Sequence, residues 1–332
     1  MHPNVMKCTL PLVLFTATTI FAADYAKQVT TGTRGGASLW SEPADIASRD
    51  LFYGAGGAAH QPRAPYKFVK EDLDGTNPKF VVRDANGVKW KVKLGLESQP
   101  ETVASRIVWA AGYHVTEDYY LEEMTVAGWP AKVHRGQKLI DPGGVLHEVR
   151  LKRAPQGEKL ATWRWRDGDF TGTREWNGLR TLMALLNNWD LKDDNNAIYR
   201  IGIKRIYMVS DLGATFGSSS RTWPRDKAKG NLESYTQSRF VHKIDDDTVD
   251  FQAPARPTWI YMVNPKEYIN RIRLESLGKD VPRDDARWMG EWLGKLSLAQ
   301  VKDAFRAGGY SPEEVDAFAR LVMDRIAVLN DL

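Results

Sequence analysis

The chain has 332 residues, 42% of them apolar, and a formal net charge of +4. That is enough to bury one large core or two lobes around a cleft, and it excludes a collagen-like or wholly disordered chain. Beyond the lone Cys8 there is no cysteine, which excludes disulfides, zinc-thiolate sites and iron-sulfur clusters from the rest of the chain.

Residues 1–22 have the layout of a secretory signal peptide: Lys7 supplies the charge, an apolar run extends from Leu10 to Ala22, and the small pair Ala22-Ala23 ends it. The run falls short of the about 20 apolar residues that span a bilayer. The expectation is an exported protein, periplasmic or extracellular, with no stable membrane span. Cleavage would remove Cys8 and lower the charge by one. No block of like charge is long enough for a polybasic arm, so no nucleic-acid partner is expected. The histidines are scattered without the spacing of metal ligands, so no zinc site is expected either.

Residues 23–64 are rich in Gly, Ala and Thr without a sustained period, an irregular lead-in. Gly54-Ala55-Gly56-Gly57 within it reads first as a flexible loop, and second as a stretch whose N–H groups cover phosphates. Lys79–Arg83 and Val88–Leu94 then flank Asp84-Ala85-Asn86-Gly87, a strong hairpin signal. A helix is expected from Ser98, as its cap, to Ala111, with Gly112 as the stop. Turn residues cluster between Gly128 and Gly144, which points to a boundary there: an N-lobe over 65–135 and a C-lobe over 136–332.

Trp163 and Trp165 alternate on an expected strand, and Trp288 and Trp292 sit four apart on an expected helix. Core packing is the default for both pairs, although exported proteins also use Trp faces against sugars. Trp176, Leu179, Met183 and Leu186 recur at helical spacing. Three later helices are expected from capping patterns at Asn264–Glu267, Ser297–Gln300 and Ser311–Glu314.

The most informative stretch is Asn188-Trp189-Asp190-Leu191-Lys192-Asp193-Asp194-Asn195-Asn196, succeeded by two apolar-alternating runs and Ser210-Asp211-Leu212-Gly213. By itself an Asp/Asn-rich run fits a solvated turn. Together with the runs over Ala197–Ile201 and Arg205–Val209, it resembles the protein-kinase catalytic loop, hairpin and Asp-Phe-Gly motif, with Asp190 and Asn195 at the family's spacing. The resemblance implies that Asn195 and Asp211 are magnesium ligands, that Asp190 orients or deprotonates the attacking hydroxyl, and that Lys192 touches the transferring phosphate. The implied fold is α+β and two-lobed, protein-kinase-like, with a small β-rich N-lobe carrying one helix and a larger helical C-lobe.

In that family a strand Lys binds phosphate and pairs with a Glu on the next helix. Lys91 and Lys93 share one face of the strand, so alternation does not choose between them. Lys93 is favoured because it precedes the strand's apolar end. Glu101 is the one acid this helix offers as partner, although Ser98-Gln99-Pro100-Glu101 also fits a capping box. Asn188-Trp189 stands where kinases carry His-Arg, and no Ala-Pro-Glu comes after at the ordinary distance. Over Val92–Val115 and in these losses the chain resembles the atypical branch, HipA-type and secretory-pathway casein-kinase-like proteins. Ser218–Glu233 stands where an activation or substrate loop would, or is a long surface loop.

The resemblance implies an exported phosphotransferase using ATP and magnesium, with a protein, lipid or carbohydrate acceptor that the sequence leaves open. A catalytically inactive binding module of the cell envelope is the alternative. A hydrolase built on Asp190 with Asp193 or Asp194 ranks last, because such pairs are defined by separation in space.

Overall fold

The computed structural model describes residues 33–34, 36–74, 77–217, 228–253 and 265–332. The expected signal peptide, Asn264 and residues 218–227 of the expected activation or substrate loop lie outside the described residues.

The N-lobe is a closed barrel. Its strands are β3 (Tyr66–Asp72), β4 (Lys79–Arg83), β5 (Lys89–Leu94), β7 (Asp118–Ala127) and β8 (Val145–Arg153), in the order β3-β4-β5-β8-β7. A short parallel pairing of β3 with β7 closes it. Phe80, Val82, Trp90, Val92, Leu146 and Leu151 fill the interior, each at most 1% exposed. The β4–β5 turn forms as its sequence directs. Gly87 takes φ +79, while the Asp84 carboxylate accepts from the backbone N–H of Asn86 and Val88 at 2.9 Å and from the Trp90 indole at 3.0 Å. One helix, α1 (Ser98–Ala110), packs on β7 and β8.

β8 corrects the expected lobe boundary at 135/136. It pairs with both β5 and β7, so the N-lobe continues to Arg153. The glycine-rich stretch is a connection within one lobe, and a Cβ on Gly144 would clash with the Val126 carbonyl oxygen. Turn chemistry marks a chain reversal and does not say whether the chain has left the sheet.

The C-lobe sheet has six strands: β1 (Thr33–Arg34), β2 (Ala37–Ser38), β6 (His114–Val115), β9 (Glu158–Ala161), β10 (Ala197–Ile201) and β11 (Lys204–Val209). They run in the order β1-β2-β11-β10-β9, with β6 alongside β11. The helices are α2 (Arg174–Leu185), α3 (Leu232–Gln237), α4 (Pro265–Gly278), α5 (Arg283–Leu293), α6 (Leu298–Ala307) and α7 (Pro312–Asn330). α2 packs on α4 and α5, while α3, α5 and α6 all pack on α7. Phe216, Phe305 and Phe318 form a fully buried ring cluster among them. The capping boxes at Ser297/Gln300 and Ser311/Glu314 both form. Among the described residues no helix is long and apolar enough to cross a membrane. A small sheet-rich lobe carrying one helix, joined to a larger helical lobe, is the two-lobed α+β arrangement that the sequence led us to expect.

Three local expectations change. β9 ends at Ala161, so Trp163 and Trp165 lie in an irregular segment. Both are buried, with the Trp163 indole donating to the Met208 carbonyl at 2.9 Å, which makes them core. Ser98 does not cap α1; its hydroxyl donates to the Lys93 carbonyl at 3.1 Å, and Glu97 stands at the cap position. Gly54–Gly57 does not hang free. It packs against α1 and β7, with the Tyr119 hydroxyl donating to the Gly57 carbonyl at 2.8 Å and the Arg106 side chain 3.1 Å from where a Gly54 Cβ would be.

Candidate active site

The site begins with a lysine on a strand. Lys93 is 2% exposed near the end of β5, where the strand leaves the barrel for α1. Its Nζ lies 3.0 Å from Glu101 Oε2, 3.0 Å from Asp211 Oδ1, and in contact with Glu97 Oε2. Lys91, the other candidate on the same strand, pairs with Asp72 at 2.7 Å on an open surface with its side chain 45% exposed. Of the two lysines that alternation left open, Lys93 is the one covered by the α1 carboxylates and the Asp211 turn.

Glu101 sits in the first turn of α1, and its carboxylate points away from the helix start. The capping box does not form, because the Glu101 N–H donates to the Glu97 carbonyl at 3.1 Å while the Glu101 carboxylate holds Lys93 and, at 3.1 Å, Arg150. Arg150 on β8 reaches on to Asp118 at 3.0 Å. A chain of alternating charges thus runs Asp211–Lys93–Glu101–Arg150–Asp118, every member but Asp211 nearly dry.

Asp211 arrives from the C-lobe. β10 and β11 form an antiparallel hairpin from Ala197↔Met208 to Ile201↔Lys204, and the chain leaves it through Asp211 in the left-handed region at φ +60. Leu212, 2% exposed, anchors the turn in the C-lobe core. A strained φ on a non-glycine persists only where the surroundings dictate it, and here it aims the carboxylate at Lys93.

The electrostatics come from burial set against charge. Burial alone would lower the Lys93 pKa, but Glu101, Asp211 and Glu97 outweigh it and hold the ammonium above its ordinary range. Burial alone would raise Asp211, but Lys93, then Lys152 and Arg150, bring it down to about 2. Glu97 is also held below its ordinary value, since Lys93 and Lys229 overcome its burial. The carboxylates of Glu97, Glu101 and Asp211 lie within 4.8 Å of one another, close enough to share a cation.

The second half of the site is the loop after α2. Asn187 at φ +55 turns the chain, the Trp189 indole donates to the Asn187 side-chain carbonyl at 2.8 Å, and the Asn188 side-chain carbonyl accepts from the Asp190 N–H at 3.2 Å. Two asparagine side chains thus build the turn that carries Asp190. Lys192 lies 2.9 Å from the Asp190 carboxylate, and the Asn195 amide donates back to the Asp190 carbonyl at 3.2 Å. The Ser210 hydroxyl donates to the Asn195 carbonyl, stitching this loop to the turn that carries Asp211.

The structure therefore gathers Lys93, Glu101 and Asp211 directly, and holds Asp190, Lys192 and Asn195 as a second group tied to the first through Ser210. Sequence reasoning missed Glu97, Arg150 and Lys229. Glu97 lies four residues after Lys93, an available signal; Arg150 and Lys229 come from remote elements and had none.

No protein-family model matches the chain, and no curated protein matches it. Among solved structures the chain is similar to the Helicobacter pylori proinflammatory kinase CtkA, at 13% identity and a TM-score of 0.43, over 80% of this chain and 96% of that one. It is also similar to the kinase domain of the maize sucrose-induced receptor kinase 1 bound to AMP-PNP, at 15% identity and a TM-score of 0.21, over 83% and 96% of the two chains. Likenesses this distant carry no weight for function, which rests on the geometry of the site.

Proposed function

We propose that this chain is an ATP- and magnesium-dependent phosphotransferase of the atypical, HipA-like kinase type, exported by its N-terminal segment. The observation that carries the proposal is the buried Lys93, held between Glu101 of α1 and Asp211 of the C-lobe turn. A nucleotide's phosphates are anions, and one dry, positioned ammonium beside ionised carboxylates serves them and their counter-ion together.

The donor set fits magnesium. Asp211 stays ionised throughout the physiological range, and with Asn195 it offers hard oxygen ligands of the type this ion prefers. Bound there, the ion would neutralise charge on the phosphates. Asp190 would orient the acceptor hydroxyl and take its proton, Lys192 would meet the phosphoryl oxygens, and Lys93 would hold the nucleotide's phosphates in register.

Magnesium and ATP at about 100 times the dissociation constant should stabilise the fold by about 2.7 kcal/mol, read as a shift in melting temperature. Asp211→Ala should abolish that shift. A wild-type protein whose melting does not move across millimolar nucleotide refutes the proposal. One contact favours the alternative, an inactive nucleotide-binding module: Lys192 already occupies Asp190 at 2.9 Å. Transfer of label from ATP to any acceptor, lost in Asp190→Ala, decides against that alternative.

A further inference from the structure

We propose that Lys229 is a second phosphate-binding lysine of this cleft, and that the Glu97 carboxylate, held between Lys229 and Lys93, is the anion a nucleotide's phosphates displace. The inference rests on the nucleotide-binding reading and goes beyond it, to how the cleft balances its charge before ligand enters and what must move for entry.

Glu97 is bound as an anion, not as a piece of helix. One carboxylate oxygen meets Lys93 Nζ and the other meets Lys229 Nζ, and the Asn77 amide, from the β3–β4 connection, donates to Oε2 at 3.2 Å. Three donors from three separate segments converge on one acceptor-only group. A phosphate is also acceptor-only, and the same donors serve it without rearrangement. Although Glu97 stands at the cap position of α1, its side chain makes no capping hydrogen bond. The helix start does not depend on that carboxylate.

Its position is the cleft itself. A Cβ on Gly213, two residues past Asp211, would lie 2.7 Å from Glu97 Cβ, so the Asp211 turn packs directly over Glu97. The residue is also partly open to solvent, its side chain 15% exposed. It lies two residues past Gly95, which has φ +85 and open space around it, in the short connection between β5 and α1. Lys93 would not be stranded by the departure, because Glu101 and Asp211 each remain 3.0 Å away. Lys229, its side chain 22% exposed, would turn from a protein carboxylate to a ligand phosphate.

The test compares the full chain with Glu97→Gln and Lys229→Met by calorimetric titration with adenosine, AMP, ADP and ATP in magnesium. Lys229→Met should weaken ATP by about tenfold, the scale of one charge-assisted hydrogen bond, and leave adenosine unchanged. Glu97→Gln should tighten ATP by a similar factor, because no charged group has to be displaced. Equal ATP affinity in Lys229→Met and wild type, or an equal loss for adenosine, overturns the phosphate contact. Unchanged or weaker ATP binding in Glu97→Gln overturns the displacement. If neither wild type nor Glu97→Gln binds any of these ligands, the nucleotide-binding reading itself is wrong; binding by wild type with indifferent variants removes only the roles given to Lys229 and Glu97.

Discussion

Replacing Lys93 with Met keeps the side chain's length and removes its charge, leaving three carboxylates without the cation they share. The Glu97, Glu101 and Asp211 carboxylates lie within 4.8 Å of one another, where two unit charges repel by about 3.5 kcal/mol at an effective dielectric of about 20. Arg150 still holds Glu101 and Lys229 still holds Glu97, while Asp211 loses its ion pair. The expected cost at neutral pH is about 3 kcal/mol, the scale for breaking a buried pair, or about 6 °C in melting temperature for a chain of this size. The pH dependence should change sign. In wild type Asp211 is held at about 2 and Glu97 below its ordinary value, so their contribution is complete above the ordinary carboxylate range, about pH 4, and drains away as pH falls towards 2. With 42% of the Asp211 side chain open to solvent, screening reduces its share to about 1 kcal/mol. In Lys93→Met, burial and mutual repulsion push the same carboxyls above their unfolded values. The native state then binds the extra protons, and stability rises as pH falls from about 7 to about 5. Urea unfolding at about pH 7, 5 and 3 reads both effects. A variant within about 1 kcal/mol of wild type at neutral pH, with the same slope against pH, would refute the account of Lys93 as the cation that holds this cluster.

Asp190→Asn should separate chemistry from folding. With a side chain 37% exposed, the residue should change stability by no more than about 0.5 kcal/mol, while transfer of label from ATP should fall by about a hundredfold or more; equal transfer rates would remove Asp190 from the reaction. Gly213→Ala should destabilise the chain by about 1–3 kcal/mol, because its Cβ would lie 2.7 Å from that of Glu97, and a melting temperature equal to wild type would show that the turn does not press on Glu97.

What the sequence made legible was local. The β4–β5 hairpin could be read because Asn86-Gly87 supplies the turn conformation and Asp84 sits where its carboxylate can accept from the turn's N–H groups. The run from Asp190 through the β10–β11 hairpin to Asp211 could be read because spacing and order along the chain carry that pattern. Glu101 could be named only as the acid the helix offered, and Lys93 only by its place on the strand. Choosing it over Lys91 needed the tertiary structure, which covers one ammonium with Glu97, Glu101 and Asp211 and leaves the other on Asp72. Glu97 and Lys229 are 132 residues apart, and no periodicity or motif relates them. The lobe boundary failed for a similar reason: the glycines between β7 and β8 look the same from sequence whether the next strand returns to the sheet or leaves it.

Two glutamates compete for Lys93, and their surroundings decide which one stays. Glu101 is 2% exposed and is held from behind by Arg150, whose side chain is 4% exposed and whose other ion-pair partner is Asp118. Moving Glu101 away would leave the Arg150 charge under-compensated where water cannot reach it, a cost of several kcal/mol. Glu97 is at the rim, its side chain 15% exposed, held by a lysine that can follow it or turn to another anion. The same electrostatic rule that fixes α1 to β5 through Glu101 therefore makes Glu97 the exchangeable partner. Under the proposed nucleotide-binding reading, a cleft assembled this way would keep its lysine charged and positioned before ligand arrives, and would give way at one carboxylate when a stronger anion enters.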